Sequence, residues 1–188
     1  MIAARLRAAL IAAVGAWAVL LVAVPFLASR APASPLASAL IFGVYALGSV
    51  VCHQLPERSY HLWAAQMPVC ARCAGIYFGA VAGAIAGTFR TAEAVRRRGT
   101  NRAQGFPPSR RNGEARRSAD RDDGWPAGRV RTALALALTP TVLTLVYEWT
   151  TAVMPAHAIR AAAGVPIGLV VAWLVVAKAT RPSRTPLE

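Results

Sequence analysis

The sequence predicts an all-α integral membrane protein, a bundle of about five transmembrane helices that form a single membrane domain over residues 1–188. Three observations lead to this fold class. The chain is 56% hydrophobic with a mean hydropathy of +0.43, which is high for a soluble domain and ordinary for a small polytopic membrane protein. Five stretches approach the length of about 20 apolar residues that a helix needs to cross a bilayer. The positive charge is concentrated between two of these stretches.

The five apolar stretches cover roughly residues 6–28, 36–54, 69–89, 131–153 and 160–178. The first one follows Arg5 and Arg7, a pattern that also occurs in signal peptides. Its apolar run is longer than the typical signal core of about 7–15 residues. We therefore expect the first stretch to remain in the protein as a spanning helix.

The segment from residue 90 to residue 131 carries twelve arginines against five acidic residues, which gives it a net charge of +7. It has few apolar residues, so we predict a disordered basic loop over residues 92–128, inserted between the third and fourth spans. Lys and Arg concentrate in cytoplasmic loops, which predicts a multi-pass protein of the bacterial inner (cytoplasmic) membrane. Besides the lipid bilayer itself, anionic lipid headgroups are expected partners of the loop. Specific nucleic-acid binding is not expected, because no recognition motif accompanies the charge.

Five spans and a cytoplasmic basic loop determine where the other loops lie. The loop at Arg30 and the C-terminal tail share the cytoplasmic side, whereas the N-terminus and the loop 55–68 face outside. Arg5 and Arg7 argue against this orientation, although only by two charges. The window between the second and third stretches then lies at the extracytoplasmic face.

Glycines recur at strict four-residue spacing in the third stretch, at Gly75, Gly79, Gly83 and Gly87. On a helix they form a narrow ridge that allows another helix to approach closely. Cys73 lies about 200° of helix rotation from Gly75, so the ridge and the cysteines are expected to face different neighbours. The fifth stretch repeats the spacing on a smaller scale, with Arg160, Gly164 and Gly168.

All three cysteines and two of the three histidines lie in the window 52–73. A membrane hairpin brings the ends of adjacent helices together, so Cys52 is expected to meet the C-x-x-C pair of Cys70 and Cys73. Such a pair has the spacing of zinc or iron ligands. Three thiolates with either His53 or His61 as a fourth ligand predict a zinc or iron centre at one membrane face.

The ligand geometry leaves alternatives open. Cys52 and His53 point about 100° apart if the second helix continues through them, and an unwound turn removes that objection. A rival function is a membrane thiol–disulfide oxidoreductase, since Cys70 is expected in the first turn of a helix that starts at Pro68, where the helix dipole stabilises a thiolate. A third alternative is a structural membrane scaffold. Covalent haem attachment is not expected, because Ala74 follows the C-x-x-C pair.

Ionisable residues also occur inside or beside the apolar stretches. Each costs at least about 2.5–3.5 kcal/mol near the centre of a spanning helix, so such residues usually face partners. We expect an ion pair between Glu148 and Arg160, which lie near the same membrane face. The side chains expected around the metal ligands are Gln54, Arg58, Arg72, Tyr77, Glu148, His157 and Arg160. The alternative is that each charge reaches the interface separately.

Two strings in this region, CHQLPERS at residues 52–59 and PVCARCAGIYFG at residues 68–79, resemble a known family. It is the prokaryotic family of small membrane proteins described as domain of unknown function 2085, with the pattern CHQ…RS followed by C-x-R-C-x-G-x-Y-x-G. The chain matches at Cys52, His53, Gln54, Arg58, Ser59, Cys70, Arg72, Cys73, Gly75, Tyr77 and Gly79.

The resemblance weakens in the fourth span. Arg160, Gly164 and Gly168 fit the family, but Thr144, Glu148 and His157 stand where the family tends to have Asp, Gln and Asn. The resemblance implies a multi-span membrane protein with a cysteine-rich centre, and it supplies no reaction. The sequence shows no hydrolytic triad and no phosphate-binding glycine loop, so metal handling or the support of a redox step is the expected role.

Overall fold

The computed structural model describes residues 2–30, 34–103 and 127–179. Within these ranges there are five α-helices, one short 3-10 helix and a two-stranded sheet. The helices are α1 (Ile2–Ser29), α2 (Pro35–Val51), α3 (Ala71–Ala103), α4 (Ala127–Thr151) and α5 (His157–Ala179); the 3-10 helix is Pro56–Arg58 and the strands are β1 (Ser59–Leu62) and β2 (Ala65–Cys70). Four of the helices, all except α2, are long and apolar enough to cross a membrane. The prediction of an all-α membrane bundle is confirmed.

The predicted loop between the second and third spans is a β-hairpin. The strands β1 and β2 pair antiparallel, with Ser59 opposite Cys70 and Leu62 opposite Ala65. Trp63 and Ala64 form the turn with φ of 52° and 63°, the left-handed backbone that tight hairpin turns require. The expected helix start at Pro68 is wrong, because Pro68 and Cys70 belong to β2 and the helix begins at Ala71.

Helices α1 and α3 pack antiparallel. Near the hairpin, Leu21 packs in one buried cluster with Ala74, and the ring of Trp17 meets Tyr77 at 5.9 Å. At the other end, Ile11 packs against a cluster that contains Ala84. The N-terminal end of α1 therefore lies beside the part of α3 that is distant from the hairpin.

The C-terminal end of α1 lies beside the hairpin. The ring of Phe26 contacts Trp63 at 5.2 Å between centroids, and the guanidinium group of Arg30 lies over Phe26. The prediction that the Arg30 loop shares a side with the basic segment is therefore wrong. Arg5 and Arg7 instead lie at the same end of the bundle as Arg90 and Arg129, as the distribution of positive charge favours.

Helix α2 explains this change of topology. It has 17 residues, a length of about 25 Å against the roughly 30 Å of the hydrocarbon core. Its first turn follows the hairpin end of α1 within a few residues. Near its last turn Gly48 lies against Pro68 of β2. Because both ends of α2 lie on the hairpin side, we infer that α2 does not cross, which leaves four helices of spanning length in the described part of the chain.

The glycine ridge of α3 packs closely on another helix, as predicted, and the structure identifies that helix as α5. A Cβ atom at Gly75, Gly79 or Gly83 would overlap a backbone carbonyl of α5, those of Ala161, Val165 and Leu169 in turn. Gly164 and Gly168 of α5 contact α3 in the same way. Residue numbers in these contacts increase together along the two helices, so α3 and α5 are parallel. Both helices begin at the hairpin. Two helix backbones can approach this closely only where the position facing the partner backbone is a glycine.

The predicted disordered loop 92–128 overlaps described helices at both ends. Helix α3 continues to Ala103 and α4 begins at Ala127. Residues 104–126 lie outside the described part of the chain, so the prediction of disorder and of contact with anionic lipid remains a prediction there.

Candidate metal centre

The end of α2 places Cys52. The helix stops because Cys52 takes an extended backbone, with φ of −149°, while its N–H still donates to the carbonyl of Gly48 at 2.9 Å. Gln54 then has a left-handed φ of 48°. The unwound turn that the sequence analysis required is therefore present at this point of the chain.

Gln54 holds this turn against the hairpin. Its Nε2 donates to the carbonyl of Tyr45 at 2.8 Å and to that of Pro68 at 2.6 Å. The amide of Gln66 donates back to the carbonyl of Gln54, and the hydroxyl of Tyr45 donates to the carbonyl of Gln66. Gly48 allows this close approach, because a Cβ there would overlap Gln54 and Pro68. The role of Gln54 is thus to fix the end of α2 on β2.

The three cysteines meet where α2, β2 and α3 converge. The sulfurs of Cys52, Cys70 and Cys73, which we call the thiol centre, all lie within 4.8 Å of one another. The backbone N–H of Cys70 donates to the sulfur of Cys52 at 3.2 Å. All three cysteines are free rather than joined in a disulfide. The predicted meeting of Cys52 with the C-x-x-C pair is present in the structure.

Apolar side chains enclose the thiol centre. Cys52 belongs to a buried cluster with Leu21 of α1 and Val69 of β2. Tyr77 and Trp17 pack against the same cluster, and their rings meet edge to face. Tyr77, expected beside the ligands, does lie there. Cys52 is buried, whereas Cys70 and Cys73 are partly exposed, so the centre is largely apolar and still open to solvent on the side of the C-x-x-C pair.

Hydrogen bonding within the centre changes the acidity of Cys70, which lies just before the spanning part of α3. A hydrogen bond from the side chain of Cys73 lowers the pKa of the Cys70 thiol to about 5, against the opposing effect of burial. Smaller contributions in the same direction come from the side chain of Cys52 and the backbone of Arg72. Cys70 is therefore the thiol that most readily supplies a thiolate.

The two histidines of the window are not part of the thiol centre. His53 is exposed, because the extended backbone at Cys52 turns successive side chains to opposite sides. His61 is exposed on β1. Among the described residues the group close enough to share one ion consists of the three cysteines. A histidine ligand would have to reach the centre by moving from these exposed positions.

The ionisable residues of the spanning helices form a separate cluster. The carboxylate of Glu148 on α4 lies 3.0 Å from Nη2 of Arg72 and 2.9 Å from Nε of Arg160. The predicted pair of Glu148 and Arg160 is confirmed, and Arg72 is added to it. We call these three residues the charged network; Arg72 also donates to the hydroxyl of Thr144 at 3.2 Å.

The charged network and the thiol centre lie on different sides of α3. Arg72 reaches α4 and α5, whereas Cys73, the next residue, faces α2 and the hairpin. The network thus does not surround the sulfurs as the sequence analysis expected. Successive helix positions diverge by about 100°, which accounts for the separation.

Two further polar residues belong to the hairpin end of the bundle. The ring of His157, at the start of α5, lies 5.4 Å from the ring of Tyr60 in β1, tilted by 39°. Arg58 precedes β1 and is half-buried. Sequence reasoning missed Tyr60 and Thr144 as members of this region, because their contacts depend on the hairpin and on the pairing of α3 with α4. No local pattern in the sequence signals either contact.

Comparisons with known proteins support the family resemblance. The model of the family described as "Predicted membrane protein (DUF2085)" matches residues 52–101. An uncharacterized protein of Methanocaldococcus jannaschii is 50% identical over 42 residues, which are 22% of this chain and 27% of that protein. The match therefore spans about a quarter of the relative's length. No solved structure matches the chain.

The matched segment begins at Cys52 and includes the hairpin and the spanning part of α3, so it contains all three sulfurs of the thiol centre. Over this segment, residues 52–101, the chain is similar to the family of predicted membrane proteins described as domain of unknown function 2085.

Proposed function

We propose that this multi-pass membrane protein binds one metal ion, zinc or iron, through Cys52, Cys70 and Cys73, and that its role is metal handling at the hairpin side of the membrane. The observation that carries the proposal is the convergence of three free sulfurs within 4.8 Å from three different elements. Thiolates that bind one zinc at about 2.3 Å lie roughly 3.8 Å apart, so the sulfurs need only a small adjustment.

The donor set favours zinc and also suits iron. Thiolate ligands select zinc, Cu(I) and iron–sulfur chemistry over hard cations, and zinc is the usual occupant of sites with two or more cysteines. Three protein ligands leave a fourth tetrahedral position for an exchangeable ligand, as in zinc sites that exchange or react. We propose that His53 or His61 fills this position only when its imidazole moves inward from its exposed place.

The hairpin side is proposed to be extracytoplasmic. The opposite end of the bundle carries Arg5, Arg7, Arg90 and Arg129, and the positive-inside rule favours the cytoplasm for such an end. In a prokaryote this corresponds to the inner membrane with the thiol centre facing outward. The bound ion would then be exchanged with the extracytoplasmic side.

Metal analysis of the full-length protein, purified in detergent without added chelator, tests the proposal. We expect about one zinc or iron per chain, and loss of that metal when Cys52, Cys70 or Cys73 is changed to Ser. The matched control is Ser38→Cys in the first turn of α2, which adds an exposed thiol outside the centre and should not raise the stoichiometry. Tyr77→Phe should keep the metal as well.

A second candidate uses the same sulfurs for thiol–disulfide exchange. The observation that favours it is the contact of a C-x-x-C pair with a third free cysteine, since a resolving thiol must lie beside the pair it attacks. In that case the purified protein lacks stoichiometric metal, and Cys73→Ser accumulates a mixed disulfide with a substrate protein. If the cysteine variants change neither metal content nor disulfide state and affect only stability, the thiol centre is structural.

A further inference from the structure

The charged network carries more positive charge than it neutralises. Two guanidinium groups share one carboxylate oxygen of Glu148, so the network has a net charge of +1. The side chains are only 12%, 5% and 2% exposed for Arg72, Glu148 and Arg160. An unpaired charge buried in this way is costly unless another group compensates it.

The described part of the chain offers no second acid to compensate this charge. Its acidic residues are Glu57, Glu93 and Glu148. Glu57 is exposed on the 3-10 helix, and Glu93 lies beyond the spanning part of α3, at the opposite end of the bundle. The thiol centre lies across α3 and contacts other elements. The compensating group must therefore come from outside the described residues.

Hydrogen-bond donors near the network are also left without partners. Nε of Arg160 lies 2.9 Å from the Glu148 carboxylate, but no hydrogen bond forms there, so its N–H is directed elsewhere. Nε of Arg72, Nε of Arg58 and Nε2 of His157 are likewise buried without a hydrogen-bond partner. Arginine nitrogens can only donate, so the missing group must be an acceptor.

Three of these donors lie near one another at the hairpin end, and the fourth is on the adjoining segment. Arg72 and Arg160 meet on one carboxylate oxygen, and His157 lies one turn before Arg160 on the same helix. The ring of Tyr60 lies 5.4 Å from that of His157, and Arg58 precedes Tyr60 by two residues. Both α3 and α5 also begin here, and helix N-termini favour negative charge.

We propose that this cluster binds a phosphate group, held by Arg58, Arg72, His157 and Arg160 beneath the hairpin. This site is separate from the metal centre and does not depend on it. Guanidinium forks match oxyanions because they donate two parallel hydrogen bonds to them. The oxyanion belongs either to a small soluble molecule or to the headgroup of an anionic lipid, since the site lies at the membrane–water boundary.

Inorganic phosphate is the probe for the soluble source. It is titrated into the delipidated full-length protein at constant ionic strength, with chloride as the balancing anion and calorimetry as the readout. We expect saturable binding that is weakened about tenfold or more by Arg58→Gln and by Arg160→Gln. Arg30→Gln is the matched control, because Arg30 is an exposed arginine at the same end, and it should bind phosphate as the wild type does.

Glu148→Gln separates an anion site from a merely structural network. Removing the carboxylate removes the charge that repels the ligand, so phosphate should bind at least about fivefold more tightly. Phosphate should also raise the melting temperature of this variant more than that of the wild type. A network that only joins three helices would lose stability in the variant and gain no affinity.

Nanodiscs test the lipid source. The protein is reconstituted in phosphatidylcholine alone or in equal parts of phosphatidylcholine and phosphatidylglycerol, and retained lipid is identified by mass spectrometry after extraction. Retention of phosphatidylglycerol that Arg58→Gln abolishes, without phosphate binding, identifies a headgroup site. If neither phosphate nor phosphatidylglycerol binds to the wild type or to Glu148→Gln, the proposal is wrong. Metal content should be unchanged throughout, which keeps this result independent of the metal centre.

Discussion

The two sides of α3 at the hairpin end hold opposite kinds of chemistry. On one side the thiol centre lies among apolar side chains such as Leu21 and Val69, and its hydrogen bonds come mainly from the backbone and the thiols themselves. On the other side the charged network brings three ionised groups together between α3, α4 and α5. Cys73 and Arg72 are neighbours in sequence and serve different sites. One helix end can therefore support two independent sites when consecutive residues face different helices.

The largest loss of stability is expected from a substitution in the charged network. Glu148→Ala leaves two buried guanidinium groups side by side without a carboxylate. We expect the free energy of unfolding to fall by about 3–5 kcal/mol, the usual cost of removing one partner of a buried ion pair. Denaturation in mixed micelles measures this, with Glu57→Ala as the exposed control, expected within about 0.5 kcal/mol of wild type. Loss of metal from Glu148→Ala would contradict the independence of the two sites.

Added metal should stabilise the protein through the thiol centre and independently of the charged network. Free zinc at about 100 times its dissociation constant should stabilise the wild type by roughly 2.7 kcal/mol, because the ion binds the folded state. Thermal unfolding with and without zinc measures this effect. Cys52→Ala should lose most of the stabilisation, whereas Arg72→Gln should keep it. Equal losses in the two variants would mean that the sides of α3 act as one site.

The contact of α3 with α5 should be sensitive to a single methyl group. Gly79→Ala places a Cβ against the carbonyl of Val165, and we expect a loss of about 1–3 kcal/mol from overpacking. Gly15→Ala and Gly43→Ala are matched controls in α1 and α2, since nothing lies within 4 Å of their added Cβ atoms. These controls should be neutral or slightly stabilising, since alanine favours the helix more than glycine does. Thermal unfolding of the three variants side by side makes the comparison.

The smallest effects are expected from the exposed histidines. If the fourth metal position is open to an exchangeable ligand, His53→Ala and His61→Ala should keep about one metal per chain, and each should change stability by no more than about 0.5 kcal/mol. Competition with a chromophoric chelator measures the affinity. A loss of affinity of about tenfold or more in one variant would identify that imidazole as the fourth ligand.

The helices and the meeting of the cysteines were predictable because both follow from local patterns. Apolar runs of sufficient length form helices in a membrane, where every backbone group must be paired internally. Glycines spaced four apart lie on one face whatever their neighbours are. Gly75 and Gly79 therefore predicted a close helix contact, although their partner α5 was not identified from the spacing.

The hairpin and the course of α2 were not predictable in the same way. The hairpin turn uses a left-handed backbone at Trp63 and Ala64, two residues that rarely adopt it. Pro68 was expected to start a helix, because a proline at the first helical position leaves no N–H unpaired. In the structure it lies in β2. Whether α2 crosses depends on the tertiary contacts of Gly48 and Gln54 with β2. Hydropathy reports only the composition of the helix itself and does not detect such contacts. The surroundings of the sulfurs were misjudged for the same reason, because they depend on which helix each residue of α3 faces.

The position of the thiol centre at the hairpin end of the bundle also bears on the oxidation of its sulfurs. If the arginine-rich end lies in the cytoplasm, the hairpin end is exposed to enzymes that make disulfides. Free thiols at that end would be oxidised to a C-x-x-C disulfide with one cysteine left over. The proposed cation would shield all three sulfurs from this oxidation, so an occupied site would also be one kept in its reduced form.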